Sequence, residues 1–165
     1  MPRAFVSIGS NIDRENNVRL AVHELHRHFG AVTPSRVVET VAVGFDGDPF
    51  YNLVVVFETE QDPEDVRKVL RGIESKAGRK REGVPSFGPR TLDLDLILYG
   101  DLVRHDELID VPAADIERYD FVLGPLAELA PDFQHPELGV TVGEMWQAAG
   151  TDVMRCVPLS FEGGT

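Results

Sequence analysis

Two aspartates, Asp93 and Asp95, lie two residues apart inside the apolar segment FGPRTLDLDLILYG, residues 87–100. If this segment forms a strand, both carboxylates are on one face, with Cα atoms about 7 Å apart. Carboxylates on a half-buried strand need a compensating charge, which Arg90 or a hard cation with oxygen ligands could supply. A third interpretation places both carboxylates in water on a solvated sheet face. The pattern alone leaves the three interpretations open.

The period of two also predicts which residues share each face of this strand. The aspartate face is predicted to carry Thr91, Asp93, Asp95, Ile97 and Tyr99. The opposite face is predicted to carry four leucines, Leu92, Leu94, Leu96 and Leu98. The leucine face would then be the core face, and the aspartate face would be available for chemistry.

A basic segment, GRKREGVPSFGPR, directly precedes the aspartates. It contains four cationic side chains, Arg79, Lys80, Arg81 and Arg90. Basic groups beside acidic groups suit a phosphate chain that is bound together with a divalent metal. A solvated surface loop with incidental charge is the alternative interpretation. The adjoining aspartates favour the phosphate site.

Length and charge restrict the class of protein. A chain of 165 residues suits a single domain with its own core, and 28 acidic against 16 basic side chains give a formal net charge of -12. That charge disfavours nonspecific binding to nucleic acid or to an anionic membrane. Apolar stretches are too short to span a membrane, no signal-peptide core is present, and the single Cys156 cannot form an internal disulfide. We therefore expect one cytoplasmic domain over residues 1–165, with no nucleic-acid or membrane partner.

Apolar periodicity predicts the elements that must position the charged residues. Strands are predicted before the aspartate segment at residues 3–8, 35–41 and 51–59. Helices are predicted from about Asp13 to Gly30 and, after an N-cap at Asp62, from Pro63 to Gly78. The order strand, helix, strand, strand, helix, strand matches the ferredoxin-like βαββαβ core, an α+β fold with an antiparallel sheet flanked by helices.

C-terminal additions are predicted after this core. They are a hairpin around Gly100 and Asp101, a short helix over residues 121–129, and a last helix opened by a capping box of Thr141 and Glu144. The first helix carries three histidines, His23, His26 and His28. We interpret these histidines as part of a polar helix face, because no acidic or cysteine partner completes a metal-binding set.

Four motifs together carry a resemblance to a known family. They are VSIGSN at 6–11, FYN at 50–52, FGPRTLDLDLILYG at 87–100 and FVLGPLAELAP at 121–131. In this order and spacing they resemble the 6-hydroxymethyl-7,8-dihydropterin pyrophosphokinases of folate biosynthesis, over nearly the whole chain. The resemblance implies transfer of a pyrophosphoryl group from ATP to the pterin's hydroxymethyl oxygen, which releases AMP. It also implies that Asp93 and Asp95 hold two Mg²⁺ ions, in chemistry that needs no covalent protein nucleophile.

The resemblance also assigns the pterin site. The pterin ring would stack between Phe50 and Phe121, and stacking requires only an aromatic face on each side. Its edge would be read by four further residues, Thr40, Val43, Gly44 and Asn52. Ordinary core packing is the alternative interpretation of the two phenylalanines.

For ATP, the resemblance assigns two groups of residues. The triphosphate would meet the loop arginines Arg79, Arg81 and Arg90, of which Arg79 and Arg90 would act in catalysis beside the aspartates. At the end of the second helix, Arg71 and Glu74 would lie on the nucleotide side. The expected ligands are therefore ATP, a pterin and Mg²⁺.

This chain departs from the family pattern at two positions that would contact the nucleotide. The family usually has a phosphate-contacting His where this chain has Ala113 and an Arg where it has Tyr119. Each lost charge-assisted contact would weaken nucleotide binding or catalysis by about 1.5–3 kcal/mol. Arg118, one position away, could supply a replacement contact. Two alternatives follow. The chain could be a diverged paralogue with a weakened nucleotide site or another pterin substrate, or a ferredoxin-like binding module, which its acidic charge disfavours.

Overall fold

A computed structural model describes residues 1–40, 48–78, 92–150 and 154–161. The strands are β1 (Arg3–Ser10), β2 (Val32–Pro34), β3 (Val37–Thr40), β4 (Phe50–Glu58), β5 (Asp93–Tyr99), β6 (Arg104–His105), β7 (Asp110–Val111) and β8 (Cys156–Val157). The helices are α1 (Arg14–Phe29), α2 (Pro63–Gly78), α3 (Asp115–Arg118), α4 (Asp120–Leu129) and α5 (Val142–Ala149). The predicted order of the core elements is confirmed: the second predicted strand, residues 35–41, corresponds to β3. The short strand β2, which precedes it, was not predicted.

The main sheet has the strand order β5-β1-β4-β3-β8, and β2 also pairs with β4. All of its pairings are antiparallel. Strand β1 lies between β4 and β5, which explains why its sequence AFVSI is almost continuously apolar. Strand β5, which carries the aspartates, is an edge strand of this sheet. The ferredoxin-like α+β fold expected from the sequence is thereby confirmed.

The two faces of the sheet are covered differently. Helices α1 and α2 pack on one face, here called the helical face, through an apolar cluster that includes Ile8, Leu25 and Leu70. Among the described residues, α4 and its neighbours cover the other face, here called the cavity face, over the end that carries Phe5 and Val54. The remainder of the cavity face borders the two cavities described below.

A β-bulge changes the alternation of β5. Phe5 pairs with Leu98 and the next residue of β1, Val6, pairs with Leu96, so Ile97 is the extra residue. Leu92, Leu94 and Leu96 pack on the helical face as predicted. The prediction is wrong after the bulge, because Leu98 packs on the cavity face and Tyr99 on the helical face.

Three smaller predictions can also be compared with the structure. A turn occurs at Gly100 and Asp101, but the predicted hairpin there is wrong, because β6 pairs with β7 rather than with β5. The capping box is confirmed, since Thr141 Oγ1 accepts the N–H of Glu144 at 3.1 Å and the Glu144 carboxylate accepts the N–H of Thr141 at 3.0 Å. Helix α2 begins at Pro63 as predicted.

The three histidines of α1 are exposed, as expected for a polar helix face. None of the helices in the described ranges combines the length and the apolar content needed to cross a membrane. The cytoplasmic location and the single domain over residues 1–165 stay predictions.

Candidate active site

A cavity of about 270 Å³ opens on the cavity face, at the end of the sheet where β1 ends and β5 begins. We call it the aromatic cavity. Six of the residues predicted to function line it, namely Thr40, Phe50, Asn52, Asp93, Asp95 and Phe121. Two further pterin candidates, Val43 and Gly44, lie outside the described residues. The structure therefore brings together the predicted metal ligands and most of the predicted pterin site.

One row of residues across the sheet sets the geometry of this cavity. Gly9 of β1 pairs with Asp93 of β5 on one side and with Asn52 of β4 on the other. A Cβ atom on Gly9 would lie 3.0 Å from Asn52 Oδ1, so a larger residue here would have to displace the Asn52 amide by a few tenths of an ångström. Asn52 is held further by donating from Nδ2 to Thr40 Oγ1 at 2.7 Å. Sequence reasoning gave Gly9 no role, although it lies within the VSIGSN motif.

The aromatic residues lie at the start of β4 and of α4. Phe50 and Phe121 are both half-buried beside the cavity, which differs from the closed packing of a core phenylalanine such as Phe5. The ring of Phe121 stacks on Tyr119, with centroids 4.9 Å apart and planes inclined by 20°. Tyr119 itself lines the aromatic cavity. The position at which the family pattern has an arginine thus contributes an aromatic ring to the predicted pterin side.

A second cavity of about 400 Å³ adjoins the first. We call it the charged cavity, because its lining includes Arg67, Arg71, Arg118, Asp95, Asp110 and Asp115. Asp95 and Asp115 line both cavities, so the two spaces meet at these carboxylates. Ala113, at the position of the family histidine, also lines the charged cavity.

Asp115 is a third carboxylate that sequence reasoning missed. It is the first residue of the four-residue helix α3, and no local pattern marks it. Burial raises the pKa of Asp115, and the negative charge of Asp95 raises it further. The boundary between the cavities therefore carries a high density of negative charge, which a cation would offset.

The carboxylate of Asp95 has a cationic neighbour from α2. Its Oδ1 lies 3.4 Å from Nη2 of Arg71, and its side chain is 52% exposed. Burial opposes the charged form of Arg71, but the hydrogen bond and charge of Glu74 and the charge of Asp95 outweigh burial and raise its pKa. Arg71 is therefore an arginine partner of Asp95. Arg90, the partner suggested by sequence, lies outside the described residues.

The other residues predicted to bind ATP do not all line the charged cavity. Arg71 and Arg118 line the charged cavity. Glu74 does not line it, because its carboxylate accepts from the Leu94 N–H at 2.8 Å and from the Arg71 guanidinium. The loop arginines Arg79, Arg81 and Arg90 all lie outside the described residues. Their roles stay predictions.

The residues at the junction fit a shared Mg²⁺ site better than a closed protein site. Mg²⁺ prefers oxygen ligands, retains several waters, and is usually held by one or two carboxylates together with substrate phosphates. Asp93 and Asp95 offer two carboxylates of this kind beside the charged cavity. Within the described ranges, no group of three or more His, Cys, Asp or Glu side chains could hold a metal alone. An open site completed by a ligand is therefore consistent with the donor set.

Comparison with known proteins agrees with these features. The sequence pattern of the 7,8-dihydro-6-hydroxymethylpterin-pyrophosphokinase (HPPK) family matches residues 5–131. The 2-amino-4-hydroxy-6-hydroxymethyldihydropteridine pyrophosphokinase of Bacillus subtilis is 40% identical over 131 residues, which cover 76% of this chain and 77% of the relative. The folic acid synthesis protein fol1 of Schizosaccharomyces pombe is 34% identical over 137 residues, 81% of this chain but 18% of that protein.

Among solved structures, wild-type HPPK-DHPS of Plasmodium falciparum with SDX-DHP shares the fold, with a TM-score of 0.72 at 14% identity. The match covers 90% of this chain and 44% of that chain. This chain thus spans less than half of the length of that protein and of fol1, but about three quarters of the length of the Bacillus relative. The family match covers most of the chain and all of its cavity-lining motifs. The chain belongs to the 7,8-dihydro-6-hydroxymethylpterin-pyrophosphokinase family.

Proposed function

We propose that this chain transfers the pyrophosphoryl group of ATP to the hydroxymethyl oxygen of 6-hydroxymethyl-7,8-dihydropterin in folate biosynthesis, with Mg²⁺ as cofactor and AMP as product. The main support is the meeting of an aromatic cavity and a charged cavity at Asp95 and Asp115. One substrate would enter each cavity, and the reacting groups would meet at the shared carboxylates. The names of the curated relatives support the same reaction.

The aromatic cavity would hold the pterin. Phe50 and Phe121 would present ring faces to a flat heterocycle, and stacking of this kind is worth about 1–3 kcal/mol per ring for nucleic-acid bases. Asn52, fixed by Thr40 and by its approach to Gly9, would offer amide hydrogen-bonding groups to the ring edge. Val43 and Gly44 would complete that edge. The pterin's hydroxymethyl group would then lie toward Asp93 and Asp95.

The charged cavity would hold ATP. Arg71 and Arg118 would offset part of the triphosphate charge. The three arginines Arg79, Arg81 and Arg90, from the segment between α2 and β5, would offset the rest. Two Mg²⁺ ions, when held by Asp93 and Asp95, would neutralise the phosphate charge and the charge that develops at the transferred group. The residues themselves would contribute orientation and charge, which supply most of the catalysis in phosphoryl transfer.

A second candidate is a diverged paralogue with a weakened nucleotide site. It is favoured by Ala113, which lines the charged cavity at the position of the family histidine, and by Tyr119, which lines the other cavity. Arg118 does line the charged cavity and could replace the arginine contact. A binding module for RNA is disfavoured, because the exposed end of the sheet carries carboxylates beside its aromatic rings.

A steady-state assay that measures AMP formed from ATP and 6-hydroxymethyl-7,8-dihydropterin tests the proposal. Turnover that requires Mg²⁺ would support it, and a lack of AMP at saturating substrates would contradict it. The double variant Ala113→His, Tyr119→Arg and the single variant Arg118→Ala separate the two candidates. An efficient enzyme should lose about tenfold in Arg118→Ala and gain little in the double variant. A paralogue should show the reverse.

A further inference from the structure

The backbone between the two aspartates is held by a side chain of α2. Among the strands that the structure describes, β5 is the edge of the sheet, and one side of its backbone has no neighbouring strand there. On β5, the N–H of Leu94 donates to Glu74 Oε2 at 2.8 Å. A carboxylate acceptor makes a stronger bond than the water that usually satisfies an edge amide. Glu74 thereby fixes the strand at the residue that separates Asp93 from Asp95.

The other oxygen of Glu74 connects the same point to Asp95. Glu74 Oε1 accepts from Nη1 of Arg71, and Nη2 of Arg71 lies 3.4 Å from Asp95 Oδ1. The side chain of Glu74 is 16% exposed, whereas that of Asp95 is 52% exposed. Arg71 is therefore shared between a well-shielded carboxylate and a more exposed one. Arg71 lies farther from Asp95 than from Glu74.

We propose that Glu74 and Arg71 are positioning residues that set the divalent-cation affinity of the aspartate pair in opposite directions. This inference rests on the proposed function, in which Asp93 and Asp95 hold Mg²⁺. Arg71 offsets the charge of Asp95 when no cation is bound and competes with a cation for the same carboxylate. Glu74 holds the strand in place, and it remains the ion-pair partner of Arg71 once Asp95 binds a cation.

The two residues should consequently have opposite effects when they are removed. Without the guanidinium of Arg71, Asp95 binds a cation without first giving up an ion pair. Without the carboxylate of Glu74, the Leu94 amide loses its acceptor, and Asp95 becomes the one ion-pair partner of Arg71 among the described residues. Both consequences of removing Glu74 oppose cation binding.

Binding of Mn²⁺ to the full chain without nucleotide, measured by electron paramagnetic resonance, tests this proposal. Arg71→Gln should bind Mn²⁺ about threefold to fivefold more tightly than wild type, as expected for one half-exposed ion pair. Glu74→Leu should bind it about fivefold or more weakly. Glu74→Gln keeps an oxygen acceptor for Leu94 and should lie between wild type and Glu74→Leu.

Arg67→Gln is the matched control, because Arg67 lies one turn earlier on α2 and lines the same cavity. It measures the general effect of removing one positive charge from this surface. Equal tightening in Arg67→Gln and Arg71→Gln would overturn the role of Arg71. Unchanged Mn²⁺ affinity in Glu74→Leu would overturn the role of Glu74.

Hydrogen exchange of the Leu94 amide gives a second measurement that does not depend on a metal. Exchange should be faster in Glu74→Leu and close to wild type in Arg71→Gln, and equal exchange in all variants would contradict the strand-fixing role. The variant Asp95→Asn separates this inference from the proposed function. If wild type and Asp95→Asn bind Mn²⁺ equally, the metal assignment itself fails. If only Asp95→Asn loses binding while the α2 variants match wild type, the positioning inference alone fails.

Discussion

The two faces of one sheet differ in what their polar groups do. On the helical face, the buried Glu24 of α1 pairs with Arg27 and with Lys76 of α2, and its side chain is 5% exposed. On the cavity face, Asp95 is ten times more exposed and pairs at 3.4 Å with Arg71. The buried carboxylate of Glu24 links α1 to α2 through its ion pair with Lys76. The carboxylate of Asp95 is half-exposed beside both cavities, where we propose that a ligand replaces Arg71.

Strand β5 contributes to both faces with neighbouring residues. Leu94 is fully buried on the helical face, while Asp93 and Asp95 line the aromatic cavity. Neighbouring positions should therefore separate stability from activity when each is changed alone.

Asp95→Asn should reduce pyrophosphoryl transfer by about a thousandfold, because a neutral amide is a poor substitute for a carboxylate that faces a divalent cation. Asp93→Asn should behave similarly. The free energy of unfolding should stay within about 1 kcal/mol of wild type, since the ion pair with Arg71 is half-exposed. Turnover and urea unfolding measure the two quantities. Near-wild-type turnover at saturating Mg²⁺ would show that the metal assignment is wrong.

Leu94→Ala should have the opposite profile. Removing a fully buried leucine from the helical face should lower the free energy of unfolding by about 2–5 kcal/mol. The backbone amide that donates to Glu74 is retained, so turnover per folded molecule should change little. Urea unfolding and turnover at low temperature are the measurements. Strong loss of turnover in fully folded protein would mean that the two faces are not separable.

Phe121→Ala should weaken pterin binding by about tenfold and leave ATP binding within about twofold, because it removes one stacking wall. Phe50→Ala should do the same. Phe29→Ala is the matched control, since Phe29 stacks on Phe57 with centroids 4.2 Å apart on the helical side. Calorimetric titration with each ligand gives the affinities. Equal loss for both ligands in Phe121→Ala would identify the ring as ordinary packing.

Glu24→Gln should lower the free energy of unfolding by about 1–2 kcal/mol at neutral pH, without affecting turnover. Hydrogen bonds from Arg27 and Lys76 lower the pKa of Glu24 from 4.5 to about 2 in the folded protein. The stabilisation is therefore complete above pH 4.5 and is lost as the pH falls from 4.5 toward 2. Urea unfolding across this pH range should show a shallower acid dependence in Glu24→Gln. Identical slopes would contradict the pairing.

The sequence allowed much of this arrangement to be predicted, for identifiable reasons. Helix α2 follows from Pro63 and its apolar stripe, and the last helix follows from Thr141 and Glu144, because both signals are local. The aspartate pair was recognisable because charges in an apolar strand are rare.

Other features depend on contacts between distant segments. The hydrogen bond from the Leu94 N–H to Glu74 joins positions 20 residues apart, and no local sequence pattern predicts it. Asp115 gains its place only because the tertiary fold brings α3 to the cavities that Asp95 of β5 also lines. The bulge at Ile97 lies in a run of similar aliphatic residues. The close approach of Gly9 to Asn52 likewise requires knowledge of strand register.

The bulge at Ile97 has a consequence for how the length of this strand can vary among relatives. A single surplus residue resembles an insertion, and the strand pairing shows what its deletion would change. Deleting Ile97 would restore simple alternation and keep the register on both sides, because Phe5 already pairs with Leu98 and Val6 with Leu96. Leu98 would stay on the cavity face and Tyr99 on the helical face, where its hydroxyl donates to the Gln61 carbonyl at 2.6 Å. The losses would be the fully buried Ile97 side chain and the carbonyl that accepts the Ala113 N–H at 3.0 Å. A one-residue gap at this position in an alignment with relatives is therefore compatible with the pairing of β1 and β5.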